Sequence, residues 1–128
     1  MSAPDTHDSI TVFVVDDEPL LLDLAKTILN PLGYNIQIFS DPRKALAAYP
    51  KAKPALVVTD YAMPWMTGLE VIRECRRIHP DQKTILLSGT VDEMIYASEP
   101  EPTRPNQFLA KPYQVRDFIQ AVQKLATS

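Results

Sequence analysis

At 128 residues the chain fits one domain, able to bury roughly two thirds of the surface its unfolded form exposes. Its net charge is −3, with Lys and Arg scattered apart from Arg73-Glu74-Cys75-Arg76-Arg77, which excludes the basic stripe of a nucleic-acid binder, and no apolar stretch approaches a membrane span. One cysteine excludes an internal disulfide and two histidines exclude a zinc-type ligand cluster, so any metal must be held by oxygen.

Residues 1–9 lack the basic and apolar parts of a signal peptide and read as a flexible segment. A soluble, cytoplasmic domain over residues 10–128 is expected. Residues 10–15 are β-branched and aromatic, a strand, and Glu18-Pro19 then starts a helix with proline in its first turn. Leu21, Leu24, Ala25, Ile28 and Leu29 recur at helical spacing until Pro31 and Gly33 stop the pattern. Residues 34–39 read as the second strand. Ser40 or Asp41 can cap a second helix, which Pro50 is expected to end.

Pro54 introduces a third strand, 55–60. A third helix runs from Gly68 or Leu69 to Ile78, with Cys75 packed as a small apolar residue and His79 in solvent, as His7 is. The fourth strand is 84–88. Residues 91–97 suit about two helical turns, with Thr90 as a candidate cap, before Pro100, Pro102 and Pro105 exclude a continuous helix. A short fifth strand, 107–110, precedes a helix with Val115, Phe118, Ile119, Val122 and Leu125 on its apolar face. Strict alternation of strand and helix predicts an α/β fold, a flavodoxin-like doubly wound parallel sheet of order 2-1-3-4-5, with an irregular or shortened fourth helix.

In that fold the strands end in chemistry. The first runs into Asp16-Asp17, the third into Asp60, the fourth into Ser88 and the fifth into Lys111. Open α/β sheets bind ligands at the carboxyl ends of their strands, and neighbouring first and third strands bring the three carboxylates together. Two carboxylates about 5 Å apart repel by roughly 3 kcal/mol at an effective dielectric near 20, so three require a counter-charge. Mg²⁺ suits the role, because it takes one or two carboxylates, keeps waters and bridges to phosphate. With Lys111 and the Ser88 hydroxyl to meet phosphoryl oxygens, the parts make a phosphoryl-transfer site, and Asp60 is the best nucleophile.

The stretches Val14-Val15-Asp16-Asp17-Glu18-Pro19, Val58-Thr59-Asp60-Tyr61-Ala62-Met63-Pro64 with Thr67-Gly68, Leu86-Leu87-Ser88-Gly89 and Phe108-Leu109-Ala110-Lys111-Pro112-Tyr113 together resemble the receiver domain of two-component response regulators. The resemblance implies that Asp60 takes a phosphoryl group from a partner histidine kinase or phosphotransfer protein. It further implies that Asp17, Asp60 and the backbone carbonyl of Ala62 hold Mg²⁺, with Asp16 acting through a water. Ser88 becomes the switch hydroxyl, Phe108 the switch aromatic and Lys111 the phosphoryl ligand, next to a cis Lys111-Pro112 bond. The output is then a changed contact with a downstream protein or fused output domain. The resemblance implies a signalling phosphoprotein rather than an enzyme, with no nucleic acid or membrane partner expected of this domain alone.

The proline-rich stretch departs from the family pattern, and the segment from Ser98 to Asn106 is expected to be extended and mobile. Trp65, five positions beyond Asp60, is expected within sight of the metal. Two other functions remain open on sequence: a Mg²⁺-dependent phosphatase working through an aspartyl phosphate, and a receiver-fold scaffold. The last predicted helix runs to the end of the chain, so no output domain is expected within it.

Overall fold

The computed structural model describes residues 10–89 and 93–128. The flexible segment expected at residues 1–9, with His7, and the cap expected at Thr90 lie outside them. Five strands, β1 (Thr11–Val15), β2 (Asn35–Phe39), β3 (Leu56–Asp60), β4 (Lys83–Ser88) and β5 (Gln107–Ala110), form one sheet in the order β2-β1-β3-β4-β5. Every pairing is parallel, so all the carboxyl ends lie on one edge. The helices are α1 (Pro19–Leu29), α2 (Pro42–Ala52), α3 (Gly68–Ile78), α4 (Glu93–Ser98) and α5 (Val115–Ala126), as the alternating pattern predicts.

Strand alternation divides the core between two faces. Val12 and Val14 of β1, Val58 of β3 and Ile85 and Leu87 of β4 pack against Leu22, Ala25 and Leu29 of α1 and Phe118, Val122 and Leu125 of α5. Phe13 and Val15 face the other way, with Val57, onto Ala45 and Tyr49 of α2 and Val71 and Cys75 of α3. Each large side chain fully buried here contributes roughly 1.5–3 kcal/mol, and burial on both faces explains why β1, β3 and β4 read as unbroken apolar runs.

Helix ends carry specific caps. Asp41 takes the Arg43 amide at 2.9 Å, and Thr67 and Glu70 form a reciprocal capping box at the start of α3. A 3-10 turn at Asn30–Leu32 follows α1 and closes on Gly33, whose φ of 82° needs glycine.

Several expectations are corrected. Pro50 does not end α2: its exposed ring sits in the last turn, where a single ladder bond is lost to solvent, and the helix continues to Ala52. Leu24 and Val115, placed on apolar stripes by their spacing, are both 51% exposed. The leucine run 20–22 offers several equivalent stripes, and packing chose the one through Leu22, Ala25 and Leu29. The proline-rich segment is not an extended strand of loose chain. It holds a 3-10 turn at Glu101–Thr103, and its buried Glu99 forms a bidentate pair with Arg73 of α3 at 2.6 and 2.8 Å.

Gly68, the first residue of α3, has no room for a side chain. A Cβ there would lie 2.3 Å from the Asp60 carbonyl oxygen and 2.8 Å from Leu86 Cδ1, while the Gly68 amide donates to the Tyr61 carbonyl at 2.8 Å. Close approach of α3 therefore braces the end of β3. Gly68→Ala is expected to destabilise the protein by about 1–3 kcal/mol through forced displacement, read as a lowered urea midpoint. Gly89→Ala, with nothing within 4 Å of its Cβ, should stay within about 0.5 kcal/mol of wild type.

Candidate functional site

The carboxyl edge of the sheet assembles the predicted groups. Asp16 follows β1, and its amide extends the β1–β2 ladder by donating to Phe39 at 3.1 Å. Its carboxylate accepts the Glu18 amide at 3.0 Å, which turns the side chain inward. Asp60 is the last residue of β3, in register with Leu87, and the next amide, Tyr61, donates to the Leu87 carbonyl at 2.9 Å. Side-chain oxygens of Asp16, Asp17 and Asp60 all lie within 4.8 Å of one another. Asp16 and Asp60 are buried and Asp17 is half-buried.

Lys111 reaches this cluster from the end of β5. Its Nζ lies 2.8 Å from Asp60 Oδ1 and 3.6 Å from Asp16 Oδ2. The Lys111 amide donates to the Ser88 carbonyl at 2.6 Å, which carries the β4–β5 pairing one residue past the strand. The Lys111–Pro112 bond is cis, as the resemblance implies. Ser88 is buried at the end of β4, and Ala62 is exposed on the loop just beyond Asp60. Phe108 stands apart from the acids, partly buried against Leu69, Ile72 and Leu86.

One ammonium cannot compensate three carboxylates. Burial raises the Asp60 pKa above the ordinary carboxylate value, and the hydrogen bond and charge of Lys111 oppose the shift without cancelling it, while Asp16 adds to it. For Lys111 burial acts downward, but the Asp60 hydrogen bond and the charges of Asp60 and Asp16 outweigh it and hold the ammonium above its usual value. The site thus retains uncompensated negative charge from oxygen ligands. That donor set fits a hard divalent cation.

Two further features depend on contacts that a single sequence does not show. Trp65 is 63% exposed, adopts a φ of 73°, and is covered by the Arg43 guanidinium, 3.9 Å from the ring centroid. Asp41 in turn holds Arg43 through two side-chain contacts at 2.9 and 3.1 Å. A groove of about 410 Å³ also opens beside Asp16 and Lys111, walled by Leu21, Leu24 and Ile28 of α1 and by Tyr113 and Val115. Leu24 and Val115, the half-exposed members of the two apolar stripes, are among the residues that line it.

A carboxyl whose folded pKa is raised stabilises the fold only below its unfolded pKa, and that contribution is lost as pH rises through the folded value. At neutral pH in cation-free buffer, ionised Asp60 is therefore a burden on the fold, while Lys111 keeps Asp16 as a second partner. Asp60→Asn is expected to raise the urea midpoint at pH 7, and its advantage should shrink as pH falls through the carboxylate range. A variant less stable than wild type at pH 7 would contradict this account.

Comparison with known proteins places these features in a family. A model of the response regulator receiver domain matches residues 12–123. The probable transcriptional regulatory protein TcrX of Mycobacterium tuberculosis is 30% identical over 112 residues, 86% of this chain and 47% of that protein. The chemotaxis protein CheY of Thermotoga maritima is 28% identical over 116 residues, covering 90% of this chain and 96% of that protein. The chain therefore spans about half the length of the first relative and nearly all of the second. Among solved structures, an uncharacterized protein from Neptuniibacter caesariensis superposes with a TM-score of 0.89 at 30% identity, covering 95% of this chain and 90% of that one. A response regulator receiver domain protein from Clostridium thermocellum does so at 0.81 and 25% identity, covering 92% and 94%. With most of its length matched and its five strands in the order 2-1-3-4-5, this chain belongs to the receiver domains of two-component response regulators.

Proposed function

We propose that this domain is a phosphoacceptor switch in which Asp60 takes a phosphoryl group from a phosphohistidine of a partner kinase or phosphotransfer protein. The observation that carries the reading is the Lys111 ammonium 2.8 Å from Asp60 within a cluster of three carboxylates. Asp60 attacks phosphorus through a carboxylate oxygen, the phosphorus–nitrogen bond to the imidazole breaks, and the neutral ring departs after taking up a proton. An acyl phosphate is left on Asp60. Lys111 exchanges its bond to the carboxylate for one to a phosphoryl oxygen, and Ser88 offers its hydroxyl to another.

Asp17, Asp60 and the Ala62 carbonyl would hold Mg²⁺, with Asp16 acting through a water. Bound there, the ion supplies the positive charge that lets a carboxylate approach a phosphoryl group. Engagement of Ser88 and deeper burial of Phe108 then shift the population toward a second arrangement that alters protein contacts. Each chain holds one phosphoryl group and catalyses only its own phosphorylation and dephosphorylation, so the domain acts as a signalling component rather than an enzyme.

The apolar groove beside Asp16 and Lys111 fits the apolar face of a partner helix, with the donor histidine set over Asp60. Leu24, on its α1 wall, is 51% exposed, an apolar surface open to a partner.

Incubation with acetyl phosphate and Mg²⁺ should add one phosphoryl group per chain by intact mass, and Asp60→Asn should abolish the addition. Continued hydrolysis of excess acetyl phosphate would instead identify a phosphatase, and the absence of any mass shift a scaffold. Leu24→Glu, at the groove, is expected to slow transfer from a phosphorylated kinase domain at least about tenfold by placing a charge on the docking face. Labelling by acetyl phosphate, which needs no docking, should stay at the wild-type rate.

A further inference from the structure

β5 carries both Phe108 and the residue that precedes Lys111, yet it is a four-residue strand at the edge of the sheet with β4 as its single neighbour. Three prolines lie in the segment that leads into it, so no regular helix seats its upstream end. Arg76 of α3 supplies that seat. Its Nε donates to the Gln82 carbonyl at 3.1 Å, one terminal nitrogen to the Pro102 carbonyl at 3.4 Å and to the Arg104 carbonyl, and the other to Thr84 Oγ1 at 3.2 Å and Asn106 Oδ1 at 2.8 Å.

A guanidinium has five N–H donors, and here each has an acceptor. None of the acceptors is a carboxylate, and among the described residues no acid pairs with Arg76. A half-buried cation held only by neutral acceptors from β4, the turn before it and the segment before β5 is costly for surface solubility alone, since burial lowers its pKa. The same Asn106 oxygen also accepts the Thr84 amide at 2.8 Å, and the Asn106 amide donates to the Thr84 carbonyl at 3.1 Å. Arg76 is thus bonded to the residue pair that opens the β4–β5 ladder, and the Lys111–Ser88 bond closes that ladder.

We infer that Arg76 is a positioning residue for phosphoryl transfer: by fixing the upstream end of β5 against α3 and β4, it sets where Lys111 meets Asp60. The inference rests on the phosphoacceptor reading above. It predicts a dependence on the planar five-donor fork that lysine, a point charge with three donors, cannot supply. A displacement of about 1 Å in a reacting group can cost on the order of a hundredfold in rate, and partial loosening less.

The test compares Arg76→Lys, Lys111→Ala and the double variant by the rate of acetyl phosphate labelling and by Mg²⁺ affinity from calorimetry. Arg76→Lys is expected to slow labelling about tenfold while Mg²⁺ affinity is kept or rises, because a loosened Lys111 competes less for Asp60. In the Lys111→Ala background Arg76→Lys should slow labelling no further. A folded Arg76→Lys that labels at the wild-type rate, losses that multiply in the double variant, or Mg²⁺ affinity falling with the rate would each overturn the inference. Should Arg76→Lys fail to fold, Asn106→Ala, which removes the side-chain acceptor tying Arg76 to the entry of β5, is judged by the same three criteria. Wild type that takes up no phosphoryl group, or Lys111→Ala that labels normally, strikes the phosphoacceptor reading itself.

Discussion

Everything at the carboxyl edge of this sheet depends on how three carboxylates are held within 4.8 Å of one another by a protein that offers them one lysine. Mutual repulsion would splay such groups on a free loop. Here two of them are held in place, because Asp16 is tied into the β1–β2 ladder and to the Glu18 amide, while Asp60 is both a strand residue and braced by the close contact of Gly68. The fold therefore stores unfavourable charge at a fixed place, and a cation that relieves it has no reorganisation to drive first.

The position of Lys111 follows from the same geometry. β5 lies two strands from β3, so the ammonium must cross the end of β4, a span of roughly 10 Å between strand axes. A long unbranched side chain can do this, and the backbone bond from Lys111 to Ser88 directs it across the strand ends. The intervening strand, β4, ends in Ser88, so this residue lies at the strand end that the lysine side chain crosses.

Most of the fold and the acidic site were legible in the sequence for a physical reason. Parallel strands buried on both faces give short apolar runs, and the charges that end them must gather wherever the runs are aligned. Asp16, Asp17, Asp60, Ser88 and Lys111 could be placed without knowing a single contact. What was not legible lay in choices between equivalent local patterns and in pairings between distant segments. The leucines of α1 offered several helical stripes, and only packing against α5 and the sheet showed that Leu24 belongs to a groove. The proline content of the segment after α4 correctly excluded a helix but said nothing of Arg73 and Arg76, whose partners, Glu99 and the carbonyls beyond it, are visible only in three dimensions.

Those two arginines change the meaning of the proline-rich segment. Prolines remove backbone donors and forbid helix, which by itself would leave the entry to β5 poorly defined. Side-chain donors from α3 take over the role that a helix would have had: Arg73 anchors Glu99 at the end of α4, and Arg76 meets the carbonyls of Pro102 and Arg104 and the side chain of Asn106. The anchor lies on the face occupied by α3, against which Phe108 also packs, whereas the apolar groove lies on the face of α1 and α5. Lys111 and Ser88 are the residues in which β5 and β4 reach the acidic edge. Movement of β5 must then either carry the arginine-bound segment with it or strain that segment's hydrogen bonds.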